Sequence, residues 1–261
     1  MEFVRLEKNG PIAEIILNRP PVNALTRQCY EELYQAYGEA EQDRGTRVLI
    51  IRSALPVFIA GTDIYWIHGL RKNLKTREFL DYVKLTHAVN NRLEILSKPM
   101  IAYIDGHAMG GGLELALACD FRFMTTGKTR IGLPEVKLGL IPGSGGTQRL
   151  TRLIGETKAK ELCYTGRHLS AEEAFRYGIV SRVVPPETGL EEVYAFAREL
   201  AAKAPIALAS IKRCIQAAAQ DQLQIGLETE LSESPFTFTS EDAGRGMEAF
   251  INKTAASFTG N

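Results

Sequence analysis

The sequence predicts an α/β fold for about the first 180 residues and a helical region after them. Three observations predict this. A strand pair, a helix and a buried strand follow one another from the N-terminus. Between residues 100 and 124 a strand leads through a glycine-rich turn into a helix and another strand. Beyond Pro185 and Pro186 the strand signals vanish.

Taken in order, Phe3 to Lys8 alternates apolar and polar residues, Ile12 to Leu17 is β-branched and apolar, and Asn9-Gly10 between them is a strong hairpin signal. From Thr26, a suitable N-cap, to about Asp43 the apolar residues Cys29, Leu33, Ala36, Tyr37 and Ala40 recur at helical spacing. Val48 to Ile51 reads as a buried strand, as do Met100 to Ile104 and Phe121 to Met124, with a helical run Leu113 to Cys119 before the last of them. The C-terminal part carries helical patterns at about 190–203, 206–220, 222–233 and 241–253. No repeat at fixed period and no low-complexity segment interrupts this order.

With 261 residues, 45% of them hydrophobic, the chain is long enough to bury a sizeable core. Its 31 basic and 31 acidic residues balance, so no global field draws it to nucleic acid or anionic lipid. Cys29, Cys119, Cys163 and Cys214 lie far apart without CxxC spacing, which suits reduced, buried thiols. The N-terminal MEFVRLEKNG has charges before any apolar run, unlike a signal peptide, and no apolar stretch approaches the roughly 18 residues of a membrane span. A cytoplasmic protein is the expectation. His87, His107 and His168 are isolated and no pair has the spacing of a zinc helix, so no metal is implied.

Two glycine-bearing loops, FIAGTDI at 58–64 and DGHAMGGGLELALACD at 105–120, each join a strand to a helix. Gly110, Gly111 and Gly112 precede a helical run, leaving unpaired N–H groups that favour developing negative charge. Read alone, they equally suit a tight corner. Neither this loop nor GSGG at 143–146 has the GxGxxG context of a dinucleotide site. Glu114 stands in an apolar run where a buried carboxylate is expensive, and by itself reads more readily as a helix N-terminal residue favoured by the macrodipole than as a catalytic group. Glu135, stiffened by Pro134 and walled by Val136, Leu138, Leu140 and Ile141, reads by itself as a loop carboxylate.

Together, and in order, these segments resemble the enoyl-CoA hydratase/isomerase (crotonase) family. The resemblance rests on LNRPPVNAL at 17–25, FIAGTDI, KPMIAYIDGHAMGGGLELALACD at 98–120, LPEVKLGLIPGSGGTQRL at 133–150, AEEAFRYGIVSRVV at 171–184 and EDAGRGMEAFINK at 241–253, and so spans essentially the whole chain. It implies a crotonase-like fold, a spiral of ββα units over residues 1–190, with helices of 191–261 packing across subunits into a homotrimer, often paired as a hexamer. It further implies an oxyanion hole made by the backbone N–H groups of Thr62 and Gly111, which stabilises the thioester enolate. Family hydratases carry glutamates at the positions of both Glu114 and Glu135, whereas many isomerases keep only the latter. A carboxylate pair flanking the double bond suits addition of water to a 2-enoyl-CoA, with Glu114 activating water and Glu135 transferring the proton at C2. Coenzyme A, part of the substrate and not a cofactor, is expected to meet Pro21, Val22 and Ala24 and the stretch Ala60, Gly61, Asp63 and Ile64, although Asp63 suits a helix N-cap better. Lys253 matches a position where a basic residue approaches the nucleotide phosphates.

Tyr65 to Lys84 is the least family-like segment. It carries Trp66, His68 and the cations Arg71, Lys72, Lys75 and Arg77, in a region that lines the acyl pocket of family enzymes. Trp66 there shapes the pocket or, on the plainer reading, packs one side of a helix with solvated cations opposite. One family branch combines hydratase activity with RNA binding through a lysine-rich helix near this region. The balanced net charge and the lack of interleaved aromatic and basic residues argue against RNA here. The nearer rival is an enoyl-CoA isomerase.

Overall fold

The structure, a computed structural model, describes residues 1–217 and 237–256, together with 224, 228, 231, 234 and 235. The expected hairpin is present: β1 (Val4–Asn9) pairs antiparallel with β2 (Ile12–Leu17), Val4 opposite Leu17 and Asn9 opposite Ile12. Thr26 caps α1 (Arg27–Gln42) by accepting the Cys29 N–H, and the predicted stripe Cys29, Leu33, Ala36, Tyr37 and Ala40 is buried. Then follow β3 (Val48–Ser53), α2 (Ile64–Lys72), α3 (Thr76–Ile95), β4 (Met100–Ile104), β5 (Ala108–Met109), α4 (Gly111–Leu117), β6 (Phe121–Thr125) and β7 (Ile131–Gly132). A 3-10 turn (Glu135–Leu138), α5 (Gly146–Ile154), α6 (Glu156–Thr165), α7 (Ala171–Arg176), β8 (Arg182–Val184), α8 (Gly189–Ala201), α9 (Pro205–Ala217) and α10 (Glu241–Asn252) complete the order among the described residues.

The large sheet runs β1-β2-β3-β4-β6-β8 and is parallel beyond the hairpin. Such a sheet needs cover on both faces, which is why all six residues of β2 are buried. One face packs on α1, α3 and α4 through Leu33, Val89, Leu93 and Leu115. The other carries Ile50, Ile101 and Phe123 against Val193 and Ala197 of α8.

A second, smaller ladder is made of pieces too short to alternate visibly in sequence. Leu25 bridges Thr62, Ile59 bridges Ala108, β5 pairs β7, and Ile131 bridges Leu169. Each turn of the chain therefore gives one strand to the large sheet, one short piece to the small ladder, and then a helix. The large-sheet strands of these turns begin at residues 12, 48, 100 and 121. Their unequal spacing is why no fixed period appears in the sequence. The ββα spiral is real but its connections differ in length.

Three expectations need adjustment. The segment 65–84 is not one helix, because α2 ends at a turn in which Lys75 N–H bonds Leu70 O, Leu74 N–H bonds Arg71 O, and Leu74 takes φ +52°. That is the hydrogen-bond pattern of a left-handed helix stop, here without glycine. The helix α4 begins at Gly111, two residues before the apolar run expected to start it. Cys29 and Cys119 are buried, but Cys163 is only half-buried. Apart from residues 224, 228 and 231, the expected helix at 222–233 lies outside the described residues, as does the Cys214 side chain. Among the described residues no helix is long and apolar enough to cross a membrane.

Candidate active site

The small ladder positions the site. Leu25 donates its N–H to Gly61 O and accepts the Asp63 N–H, so both groups face Leu25. Alternation along a strand then turns the intervening Thr62 N–H to the opposite edge, toward the end of β5. There the chain leaves the ladder, since Gly110 donates to Gly132 O, takes φ +50° and opens α4. A side chain resists that conformation, and a Cβ on Gly110 would lie 2.8 Å from Glu135 Oε1. Gly111 is the first residue of α4, where an N–H has no partner within the helix. Among the described residues neither the Thr62 nor the Gly111 N–H donates to a protein acceptor. The two residues adjoin: a Cβ on Gly111 would sit 3.4 Å from Thr62 Oγ1.

Both glutamates reach the same cavity, of about 150 Å³, which Thr62, Gly110 and Gly111 also line. Glu114, in the first turn of α4 and 2% exposed, points its carboxylate at the start of α5. Its Oε1 accepts the Ser144 N–H at 2.7 Å and the Gly146 N–H at 2.8 Å. Two charge-assisted bonds at a helix N-terminus offset the desolvation of a buried carboxylate. Glu135 starts the 3-10 turn between β7 and α5 and is half-buried. Four residues expected to act together, Glu114, Glu135, Thr62 and Gly111, are therefore brought together from three turns of the chain.

The walls are largely apolar. Ile67 from α2 and Phe79, Tyr82 and Val83 from α3 face Leu138, Leu140 and Ile141, and Phe250 of α10 closes one side. Two wall rings are backed by a second ring. Phe79 stacks on Phe238 at 4.1 Å and 9°, and Tyr82 meets Trp66 edge-on at 4.8 Å and 71°. Trp66 thus acts on the wall through Tyr82 and does not line the cavity itself. Tyr82 OH also donates to Thr62 Oγ1 at 3.3 Å. Burial pushes the Tyr30 and Tyr82 phenols well up, and the nearby Glu114 carboxylate adds to both. Each phenol stays neutral. Tyr30 and Tyr82 were not expected from sequence, because aromatic residues at helical spacing read as core.

The expected coenzyme A positions fall into two groups. Ala60, Gly61 and Ile64 line the cavity. Val22 O accepts the Ala60 N–H at 3.1 Å, so the loop carrying Pro21, Val22 and Ala24 lies beside them. Asp63 accepts the Trp66 N–H as the N-cap of α2 and pairs with Arg19 at 3.0 Å, so its carboxylate is engaged within the fold. Lys253 is exposed at the C-terminal end of α10 with φ +55°, three residues beyond the wall residue Phe250. Of the basic cluster, Arg71 is bound to Ser240 O at the start of α10 and Lys75 pairs with Glu78. Asn23 was missed. It is buried and ties the two loops together through Ser53, Val57 and Phe58.

Comparison with known proteins identifies the family. The profile of the family described as Enoyl-CoA hydratase/isomerase matches residues 7–261. A protein named short-chain-enoyl-CoA hydratase from Clostridium acetobutylicum is 38% identical over 252 residues, covering 96% of this chain and 95% of that one. A crotonyl-CoA hydratase from Syntrophomonas wolfei is 37% identical over 259 residues, covering 98% of each. The crystal structure of an enoyl-CoA hydratase from Bacillus anthracis superposes with a TM-score of 0.79 at 34% identity, over 99% of this chain and 100% of that one. With the family profile matched over nearly its whole length and relatives 37–38% identical across it, the chain belongs to the enoyl-CoA hydratase/isomerase (crotonase) family.

Proposed function

We propose that the protein adds water across the 2,3 double bond of a short-chain 2-enoyl-CoA to give the 3-hydroxyacyl-CoA. One observation carries this reading: two carboxylates from different turns of the spiral line a single cavity with the unengaged N–H groups of Thr62 and Gly111. The hydratase names of the similar proteins support it. The thioester oxygen sits between the two N–H groups, and its charge grows as water oxygen bonds to C3 and the π electrons move toward the carbonyl. Fixed donors stabilise that charge more than the ground state, and removal of one such donor commonly costs about 3 kcal/mol. Glu114 takes the proton from the attacking water, and Glu135 gives a proton to C2. The two groups exchange protonation state in one turnover and reset through solvent. No cofactor is needed, since the thioester itself is the electron sink.

The loop of Pro21, Val22 and Ala24 beside Ala60, Gly61 and Ile64 supports coenzyme A entry at that edge, and exposed Lys253 beyond Phe250 supports a phosphate contact. A cavity of about 150 Å³ suits a group of roughly six carbons. Its double-layered rings at Phe79 and Tyr82 resist displacement by longer chains. Exposed Ile211 and Ile215 on one face of α9 support assembly of C-terminal helices across subunits, as a trimer or hexamer.

The test is steady-state hydration of crotonyl-CoA by wild type, Glu114→Gln and Glu135→Gln, followed by loss of the conjugated thioester absorbance. Each variant is expected to lose at least a hundred-fold in kcat, within the range general acid–base groups contribute. Near-wild-type activity in either variant would sink the two-glutamate mechanism. Equal activity on six- and sixteen-carbon substrates would sink the short-chain assignment. Conjugation of a 3-enoyl-CoA without hydration would assign an isomerase instead.

A further inference from the structure

We propose that His87 and Asn90 of α3 are positioning residues for Glu114, acting through the peptide units of the loop at Gly143–Gly146. The inference rests on the reading of Glu114 as the group that activates water. His87 Nε2 lies 2.8 Å from Gly143 O. A carbonyl only accepts, so the ring presents Nε2–H to it. The N–H of that same peptide unit belongs to Ser144 and donates to Glu114 Oε1 at 2.7 Å. One peptide group therefore stands in series between the imidazole and the carboxylate. The next peptide is held the same way, with Asn90 Nδ2 donating to Ser144 O at 3.0 Å and Arg149 donating to the same oxygen at 3.3 Å. His87, Asn90, Ser144, Arg149 and Glu114 are all buried.

Hydrogen bonds in such a dry setting polarise one another, so a donor on the carbonyl strengthens the N–H on the far side of the peptide. The anchors matter because the loop reads Gly143-Ser144-Gly145-Gly146, and three glycines leave its peptides free to rotate. Rotation of the first peptide would withdraw the Ser144 N–H from Glu114 and turn the Gly143 carbonyl toward the carboxylate. Like partial charges then push Glu114 from its position. The Thr62 and Gly111 donors do not pass through this loop, so thioester binding survives the change. Loss of the anchors is therefore a loss of kcat, with KM held.

His87→Leu keeps side-chain bulk and removes the donor, whereas His87→Gln keeps an N–H donor. Crotonyl-CoA hydration by His87→Leu is expected to fall at least ten-fold in kcat with KM within three-fold of wild type. His87→Gln is expected to recover most of that loss. In a Glu114→Gln background, His87→Leu is expected to cause no further fall, because the group it positions is already disabled. Wild-type kcat in His87→Leu, an effect on KM alone, or an undiminished further loss in the Glu114→Gln background would each overturn the inference. Thermal unfolding of each variant checks that it folds. If His87→Leu does not, Asn90→Ser, which withdraws the second anchor with a smaller change, is read by the same split and the same background, and a wild-type kcat there overturns the proposal. Failure of wild type to hydrate crotonyl-CoA sinks the functional reading; an inactive Glu114→Gln beside an unaffected His87→Leu sinks only this one.

Discussion

Replacing Asn23 by alanine tests whether the loops at 19–24 and 53–58 are held together by one side chain. Asn23 is 2% exposed and has φ +51°. Its Oδ1 accepts the Arg19 N–H at 2.7 Å, and its Nδ2 donates to Ser53 Oγ at 2.8 Å, Phe58 O at 3.0 Å and Val57 O at 3.2 Å. The amide has two hydrogens, so these donors amount to about two full bonds, and with the Arg19 bond about three are lost at about 1 kcal/mol each. Alanine also tolerates the left-handed backbone less well than asparagine, adding about 1 kcal/mol. A destabilisation of about 3–4 kcal/mol follows, or a fall of about 10 °C in Tm at the roughly 2–4 °C per kcal/mol of a chain this size. Differential scanning calorimetry measures it. Because the Phe58 end of the bond leads directly to Thr62, kcat/KM should fall even well below the new Tm. Asn23→Asp separates the two sides of the amide. It keeps the Oδ1 acceptor and the backbone tolerance but turns a carboxylate on three oxygen acceptors, so it should be no more stable than Asn23→Ala. An aspartate variant near wild-type stability would refute the assignment of the Nδ2 bonds.

Two further perturbations address the ladder and the hairpin. A Cβ on Gly112 would come 2.6 Å from both the Cβ and the carbonyl oxygen of Ile59, so Gly112→Ala should force α4 away from the ladder. Calorimetry should show a loss of about 1–3 kcal/mol, as overpacking commonly gives, and kcat should fall with it because Gly111 moves. Glu32 anchors β1 by accepting the Phe3 and Val4 N–H groups at 2.7 and 3.0 Å. Burial pushes its carboxyl up, but these backbone donors and Gln28 outweigh that and hold it below the ordinary value of 4.5. A lowered carboxyl contributes stability that is fully present above its unfolded pKa and lost as pH falls through the folded one. The stability gap between wild type and Glu32→Gln should accordingly be full at neutral pH, about 1–2 kcal/mol, and close as pH drops below about 4.5 in urea unfolding series. A gap that widens in acid would contradict the sign.

The parts of this fold that were legible in the sequence are those whose signal is local. Asn9-Gly10 marks its hairpin, Thr26 and Asp63 mark helix starts, and Met100 to Ile104 is a strand by its own composition. Glu114 and Glu135 were ambiguous alone and became a pair only through the order of the motifs around them. What was illegible depends on partners distant in sequence. The strands β5 and β7 are two residues each, too short to alternate, and exist because Ile59 and Leu169 bond on either side of them. The stop at Leu74 carries no glycine or proline, so the split between α2 and α3 had no local mark. Asn23 looks like any polar loop residue until the chain brings Ser53 and Phe58 against it. Tyr82 looks like core, and it is core on the face that meets Trp66, but its hydroxyl end meets Thr62.

The site divides its work between two kinds of support, and they respond differently to change. Thr62 and Gly111 present backbone N–H groups whose direction is set by pairing within the small ladder: Leu25 on one side, Ile59 with Met109 on the other. Side-chain replacement in these pieces leaves such bonds in place unless it alters spacing, as a Cβ at Gly112 does. The carboxylates have no such guarantee. Glu114 is aimed by a loop of three glycines and one serine that is itself held from α3, and Glu135 hangs on a single 3-10 turn walled by apolar side chains. In the proposed mechanism, charge stabilisation at the thioester is thus robust to sequence change, while proton transfer is sensitive to it. Substitutions in the Gly143–Gly146 loop and along α3 should therefore slow water attack at C3, and with it formation of the enolate, while thioester binding at the Thr62 and Gly111 N–H groups persists.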